Sequence, residues 1–157
     1  MERGLISEER TGKALVVRCG SEFFLLKTDS IRRIVDPMVI HPVPFAVKNL
    51  LGLARFGGEP LSVFSLQGMA GDAGALPLKR MTVVVVDIEG SDAPQRLGLG
   101  VDEVLEIASP EGPGEERRST GIISEPIEIN GKQARWFNVR ALNTQGSIKG
   151  QSKGVTV

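Results

Sequence analysis

A chain of 157 residues is long enough to bury a real core, either as one domain or as two very small lobes. An apolar fraction of 41% against a charged fraction of 24% excludes a disordered chain. With 19 basic and 19 acidic residues there is no positive excess to displace counterions from phosphates, so no nucleic acid is expected as a partner.

A single cysteine, Cys19, allows no internal disulfide and points to a reducing compartment. The first residues, Met1 to Arg10, carry no apolar signal stretch. The longest apolar run, Met81 to Val86, is far short of the ~20 residues a membrane helix needs. The expectation is a cytoplasmic protein with no direct membrane insertion.

In chain order, residues 1–12 read as an N-terminal extension and 13–143 as one domain of short strands. Lys13 to Cys19 and Glu22 to Lys27 form a hairpin closed by Gly20-Ser21, a pair suited to a type II′ turn. Thr28 to Val35 predicts a helical turn capped by Thr28 or Asp29, and Phe45 to Leu50, after Pro42 and Pro44, a second. Leu50 to Phe56 and Glu59 to Leu66 form another hairpin around Gly57-Gly58. Gly68 to Ala75 looks like a linker between halves, its reach extended to 68–79. Arg80 to Ile88 reads as a strand buried on both faces. Gln95 to Val101 reads as a strand that Gly98 and Gly100 break at a bulge or barrel corner. Asp102 to Ile107 predicts a further helical turn, and Ser109 to Thr120 an exposed loop. Ile127 to Ile129 and Gln133 to Trp136 flank Asn130-Gly131, the strongest turn signal of the three. Residues 144–157 read as a flexible tail. Many short strands with frequent turns give an all-β fold, either a sandwich or small barrels.

Catalytic constellations are missing. His41, the only histidine, sits between Pro42 and Ile40 with no orienting partner in sequence, and reads as a loop residue. Cys19 alternates with Leu15 and Val17 and so shares their apolar face, which reads as core. Asp102, Glu103 and Glu106 cluster, but no ligand motif accompanies them, and a solvated face is the simpler reading. Gly98-Leu99-Gly100 lacks the strand-then-helix setting of a dinucleotide loop. No catalytic residue, metal site or cofactor is expected.

One ordered set of motifs remains. Pro42-Val43-Pro44 is followed by Leu51-Gly52-Leu53, the Gly57-Gly58 turn and Leu61 to Leu66. Then come Met81 to Ile88, Leu97-Gly98-Leu99, Val101-Asp102-Glu103-Val104-Leu105 and Phe137 to Leu142. Over residues 13 to 143 this order resembles CheW-like domains, the coupling proteins of bacterial chemotaxis. The resemblance implies two intertwined five-stranded SH3-like β-barrels. It also implies a non-catalytic adaptor that couples a methyl-accepting chemoreceptor cytoplasmic tip to the regulatory domain of a CheA-type histidine kinase.

Against the family pattern, Arg33 stands for a glutamate, Arg55 for an asparagine and Gly57 for an arginine. Ser62 and Ser65 stand for a proline and an aspartate, and Asn138 for a late aspartate. Candidate protein-binding residues are Ile31, Arg33 and Ile34 at an early strand, Arg55, Phe56, Gly57 and Gly58 at the hairpin tip, and Val101 and Val104 in a groove between lobes. Phe56 has two readings that sequence leaves open, an exposed anchor or a core side chain, as do Val101 and Val104. A small-molecule or oligosaccharide-binding barrel without a kinase partner is the alternative function, and it requires a concave polar-lined pocket.

Overall fold

The computed structural model describes residues 12–44, 47–71, 80–88, 95–110 and 121–145. Its strands are β1 (Ala14–Cys19), β2 (Glu22–Lys27), β3 (Ile31–Val39), β4 (Leu50–Phe56), β5 (Glu59–Ser65), β6 (Arg80–Ile88), β7 (Gln95–Val101), β8 (Glu103–Ala108), β9 (Ile123–Ile129) and β10 (Lys132–Phe137). Helix among these residues is limited to a 3-10 turn at Thr28–Ser30, α1 (Leu66–Met69) and α2 (Val139–Gln145). Two five-stranded curled sheets result, in the orders β8-β1-β2-β10-β9 and β3-β6-β7-β5-β4. The all-β, two-barrel expectation holds, and all three hairpins turn where their turn residues lie.

The chain weaves between the sheets. It starts the first with β1 and β2, builds the whole second with β3 to β7, and returns at Asp102 to finish the first. Parallel pairings, β2 with β10 and β5 with β7, join strands that are distant in sequence. The segment near 68–79 therefore connects β5 to β6 inside one sheet and does not separate the lobes, correcting the linker expectation. Gly68 itself lies in α1. Residues 72–79 lie outside the described residues, as do most of the predicted 109–120 loop, nearly all of the N-terminal extension, the tail beyond Gln145, and Phe45 and Ala46 of the predicted turn.

Strand alternation divides the apolar side chains among three cores. Leu15, Val17 and Cys19 meet Val84, Val86, Leu97, Leu99 and Val101 in a core shared by the two sheets. The opposite face of β1, Ala14 and Val16, fills the first barrel with Leu25, Ala134 and Trp136. Val83 and Val85 fill the second with Met38, Ile40, Leu61 and Val63. This is why Arg80 to Ile88 reads as buried on both faces: β6 feeds two cores at once.

Gly98 and Gly100 do not mark a bulge. β7 pairs with β6 in continuous register from Thr82↔Val101 to Ile88↔Gln95. A Cβ on Gly98 would lie 2.6 Å from Val83 Cγ1, and one on Gly100 would lie 2.8 Å from Met81 Cε. These glycines keep the strand thin where the second barrel is filled from the opposite wall. That barrel is closed by the chain just beyond β3. His41 N donates to the Leu53 carbonyl at 2.7 Å, and Leu53 N donates to the His41 carbonyl at 2.8 Å.

Two predicted helical turns are corrected. The first forms only at Thr28–Ser30; its N-cap is Lys27, without a side-chain cap, and Ile31 onward is strand. Asp102 to Ile107 is not helical, because the free edge of β1 recruits Glu103–Ala108 as β8 and pairs Val17 with Val104 and Leu15 with Ile107. Backbone hydrogen bonds to a neighbouring strand outweigh the few tenths of a kcal/mol per residue that separate helix propensities.

Asp102 marks the crossing from one sheet to the other. Its Oδ2 accepts from the Gly20 amide at 2.6 Å, and its own amide donates to the Arg18 carbonyl at 2.9 Å. Arg18 adds an Nε donation to Glu103 Oε1 at 3.1 Å and one from Nη1 to the Gly20 carbonyl at 2.8 Å. Glu106 Oε2 accepts from Asn130 Nδ2 at 2.8 Å. The acidic cluster is thus a set of tethers holding β8 against the β1–β2 and β9–β10 turns. Asp102→Ala is expected to lower unfolding free energy by about 1–2 kcal/mol in urea titration, with Asp102→Asn losing less because an acceptor remains. Equal stability of all three proteins would mean that packing alone holds the corner.

Candidate docking groove

The site is built by the two edges of the second sheet. β3 is one edge, and its pairing with β6 slips between Ile31 and Arg33 and again between Val35 and Met38, around Pro37. The β4–β5 hairpin is the other edge. Its tip turns at Gly57 and Gly58 with φ of 61° and 82°, a left-handed pair that glycine adopts without steric cost. Where the curled sheet brings these edges together, they enclose an open groove of about 400 Å³. Arg33, Ile34, Val35, Asp36 and Met38 line it from β3, and Arg55, Phe56 and Gly57 from the hairpin.

Five of the predicted contact residues, Arg33, Ile34, Arg55, Phe56 and Gly57, therefore meet on one surface. Gly58 sits beside them, exposed in the turn. Ile31 does not join them, being half-buried against the core between the sheets. Val101 is 2% exposed in that same core, which corrects its assignment to a partner surface: β7 alternates Leu97, Leu99 and Val101 inward. Val104 is half-buried against the same cluster. Val35, Asp36 and Met38 join the groove because the strand runs on past Asp36-Pro37 to Val39, further than the sequence reading carried it.

Phe56 resolves into both of its readings. The ring is half-buried against the core of the second barrel, yet it forms a wall of the groove. Arg96 of β7 places its guanidinium 5.7 Å from the ring centroid. Asp87, opposite Arg96 on β6, holds that guanidinium through Nε–Oδ1 at 2.7 Å and pushes its ionisation further up. Arg33 and Arg55 are exposed and form no ion pair among the described residues, nor does Asp36.

Residues considered for catalysis lie elsewhere. His41 is exposed and serves barrel closure through its backbone. Cys19 is buried, and loss of solvation pushes its thiol up to about 12. Among the described residues, no three His, Cys, Asp or Glu side chains gather into a metal-binding group, and no helix is long and apolar enough to cross a membrane.

The model of the CheW-like domain family matches residues 13–145. The chain belongs to this family. Its fold is similar to that of the scaffolding protein TtCheW from Thermoanaerobacter tengcongensis, with a TM-score of 0.62 at 20% identity over 82% of this chain and 89% of that one. No curated protein sequence matches the chain.

Two departures from the CheW-like pattern become conservative once seen in the fold. Ser65 Oγ accepts from the Gly68 amide at 2.9 Å and caps α1. Asn138 Oδ1 accepts from the Arg140 amide at 3.2 Å at the start of α2. Serine, asparagine and aspartate are near-equivalent helix caps, so exchanging them preserves the structure. Arg33, Arg55 and Gly57 have no such compensation. All three line the groove.

Proposed function

We propose that this CheW-like chain is a non-catalytic cytoplasmic adaptor that couples chemoreceptor tips to the regulatory domain of a CheA-type histidine kinase. The observation that carries the reading is the groove between β3 and the β4–β5 hairpin. It combines an apolar strip with two guanidiniums that form no ion pair among the described residues, on an all-β frame. Such a surface suits recognition of another protein, with apolar contact supplying affinity and charge selecting the partner. The barrel alternative, a small-molecule or oligosaccharide binder, calls for an enclosed pocket. The barrel interiors are instead packed with side chains such as Val63, Val83 and Met38 in one and Val16, Leu25 and Trp136 in the other.

The reading is tested by bridging. Membranes carrying a chemoreceptor from the same cell are sedimented with the purified regulatory domain of its CheA-type kinase, with and without this chain. The kinase domain is expected in the pellet only when the chain is added. Sedimentation of neither this chain nor the kinase domain would remove the adaptor role and leave the fold untouched.

A further inference from the structure

Phe56 stands at the end of β4, where the hairpin itself gives the ring little support: a Cβ on Gly57 or on Gly58 would meet open space. The ring packs against the core of the second barrel. Over it lies Arg96, with its guanidinium carbon 5.7 Å from the ring centroid. The face of an aromatic ring is its negative side, so a cation held there is attracted to it.

Arg96 is in turn fixed from behind. It sits directly opposite Asp87 on the neighbouring strand, donating from Nε to Oδ1 at 2.7 Å and from Nη2 to Oδ2 at 3.5 Å. Two parallel bonds of this kind hold the plane of a guanidinium as well as its position. Glu59, paired with Phe56 across the hairpin turn, adds the field of a second carboxylate at Arg96. β6 and β7 are inner strands of their sheet, whereas β4 is its edge. A chain of contacts therefore runs from the inner strands to the aromatic wall of the groove, through two residues that do not line the groove themselves.

Folding gains little from the pair. The side chains of Arg96 and Asp87 keep 43% and 34% of their surface in water, where an ion pair adds little stability. Its effect falls on the ring instead. A partner packing on Phe56 loses less side-chain freedom when the ring is already held.

We propose that Arg96, anchored by Asp87, is a positioning residue of the groove, presetting the Phe56 ring for docking without touching the partner. The docking half of this inference rests on the adaptor reading; the preset ring does not.

Binding of the full-length chain to receptor-bearing membranes and to the kinase regulatory domain is measured separately for the wild type, Arg96→Gln, Phe56→Leu and the double variant. Phe56→Leu is expected to weaken binding to at least one of the two. Arg96→Gln is expected to weaken the same binding by about three- to fivefold with little change in melting temperature. In the Phe56→Leu background it should add nothing, because it acts through the ring. Arg96→Lys keeps the cation and should recover part of the loss. Exchanging the pair, Asp87→Arg with Arg96→Asp, restores the ion pair but sets a carboxylate beside the ring, and should recover none. In the free protein, Arg96→Gln and Asp87→Asn should both shift the Phe56 ring resonances of phenylalanine-labelled samples. A full loss from Arg96→Gln in the Phe56→Leu background would mean that Arg96 meets the partner directly, and would overturn the positioning role. Unmoved ring resonances, or full recovery in the exchanged pair, would overturn it too. Normal binding by Phe56→Leu would remove the ring from docking and the inference with it, while the adaptor role stood. Binding of the wild type to neither protein would sink the adaptor reading and the docking role of Arg96 together.

Discussion

Replacing Gly52 by alanine should lower the melting temperature by roughly 10 °C or more, corresponding to a loss of about 3 kcal/mol or above. Gly52 adopts φ of 156° beside the strand crossing that closes the second barrel, and an added Cβ would run into the His41 carbonyl oxygen and the Ile40 side chain. The obstacle on one side is backbone, which cannot swing aside as a long side chain can. Relief requires moving residues 40–41 away from β4, and that breaks the two hydrogen bonds between His41 and Leu53. Ile40 and Leu51, both buried in the barrel core, would be drawn out of place with them. Gly57→Ala is the control. It also has positive φ, but its added methyl meets open space, so only about 1 kcal/mol of backbone strain is expected. Thermal melts followed by circular dichroism compare the two. Equal small shifts would show that barrel closure does not depend on the close approach at Gly52.

A second large effect concerns Cys19. Burial pushes its thiol up to about 12 from 9.0; the nearby Asp102 charge adds to the rise, and a backbone hydrogen bond from Asp102 opposes it. At pH 8 the native protein should therefore resist alkylation by iodoacetamide, and labelling should proceed through the small unfolded fraction, far more slowly than for the denatured chain. The linkage has a definite sign. Between pH 9 and 12 the unfolded chain has lost the thiol proton that the folded chain keeps, so the unfolded state gains stability. The Cys19 contribution is complete below pH 9 and declines as pH rises towards 12, by up to about 1.4 kcal/mol per pH unit. Cys19→Ala should be less stable at neutral pH by about 1 kcal/mol, through lost packing, but show a shallower decline between pH 9 and 11. Parallel declines for the two proteins would assign the alkaline loss to other groups. Rapid labelling of the native thiol would contradict its burial.

The hairpins were legible because turn chemistry is local. Gly20-Ser21, Gly57-Gly58 and Asn130-Gly131 fix their own geometry whatever surrounds them. The full length of β3 and the whole of β8 were not legible, since each forms by pairing with a distant strand. Arg32-Arg33 and Asp36-Pro37 interrupt alternation in β3, and Glu103 to Glu106 suits a helix when viewed alone. Gly98 and Gly100 were visible as special, but their reason lies in Val83, Leu61, Met81 and Leu51 across the barrel. Much of the groove could be found in sequence because its charges depart from the family pattern at Arg33, Arg55 and Gly57. Val101 was misassigned for the complementary reason: its motif is distinctive, yet alternation sends it inward.

The woven path has a consequence for how the protein is made. Strands β3 to β7, consecutive in the chain, form the second barrel, so that unit can close while the remainder is still being synthesised. The opening hairpin has no such option. Phe23 and Leu25 must wait for Ala134 and Trp136, near the far end of the domain, before β2 gains its other neighbour. Until then one strand edge of the nascent chain, and the apolar face of β6 and β7 that it will help to cover, stay open to solvent and to other chains. Any truncation that removes β10 would make that temporary exposure permanent.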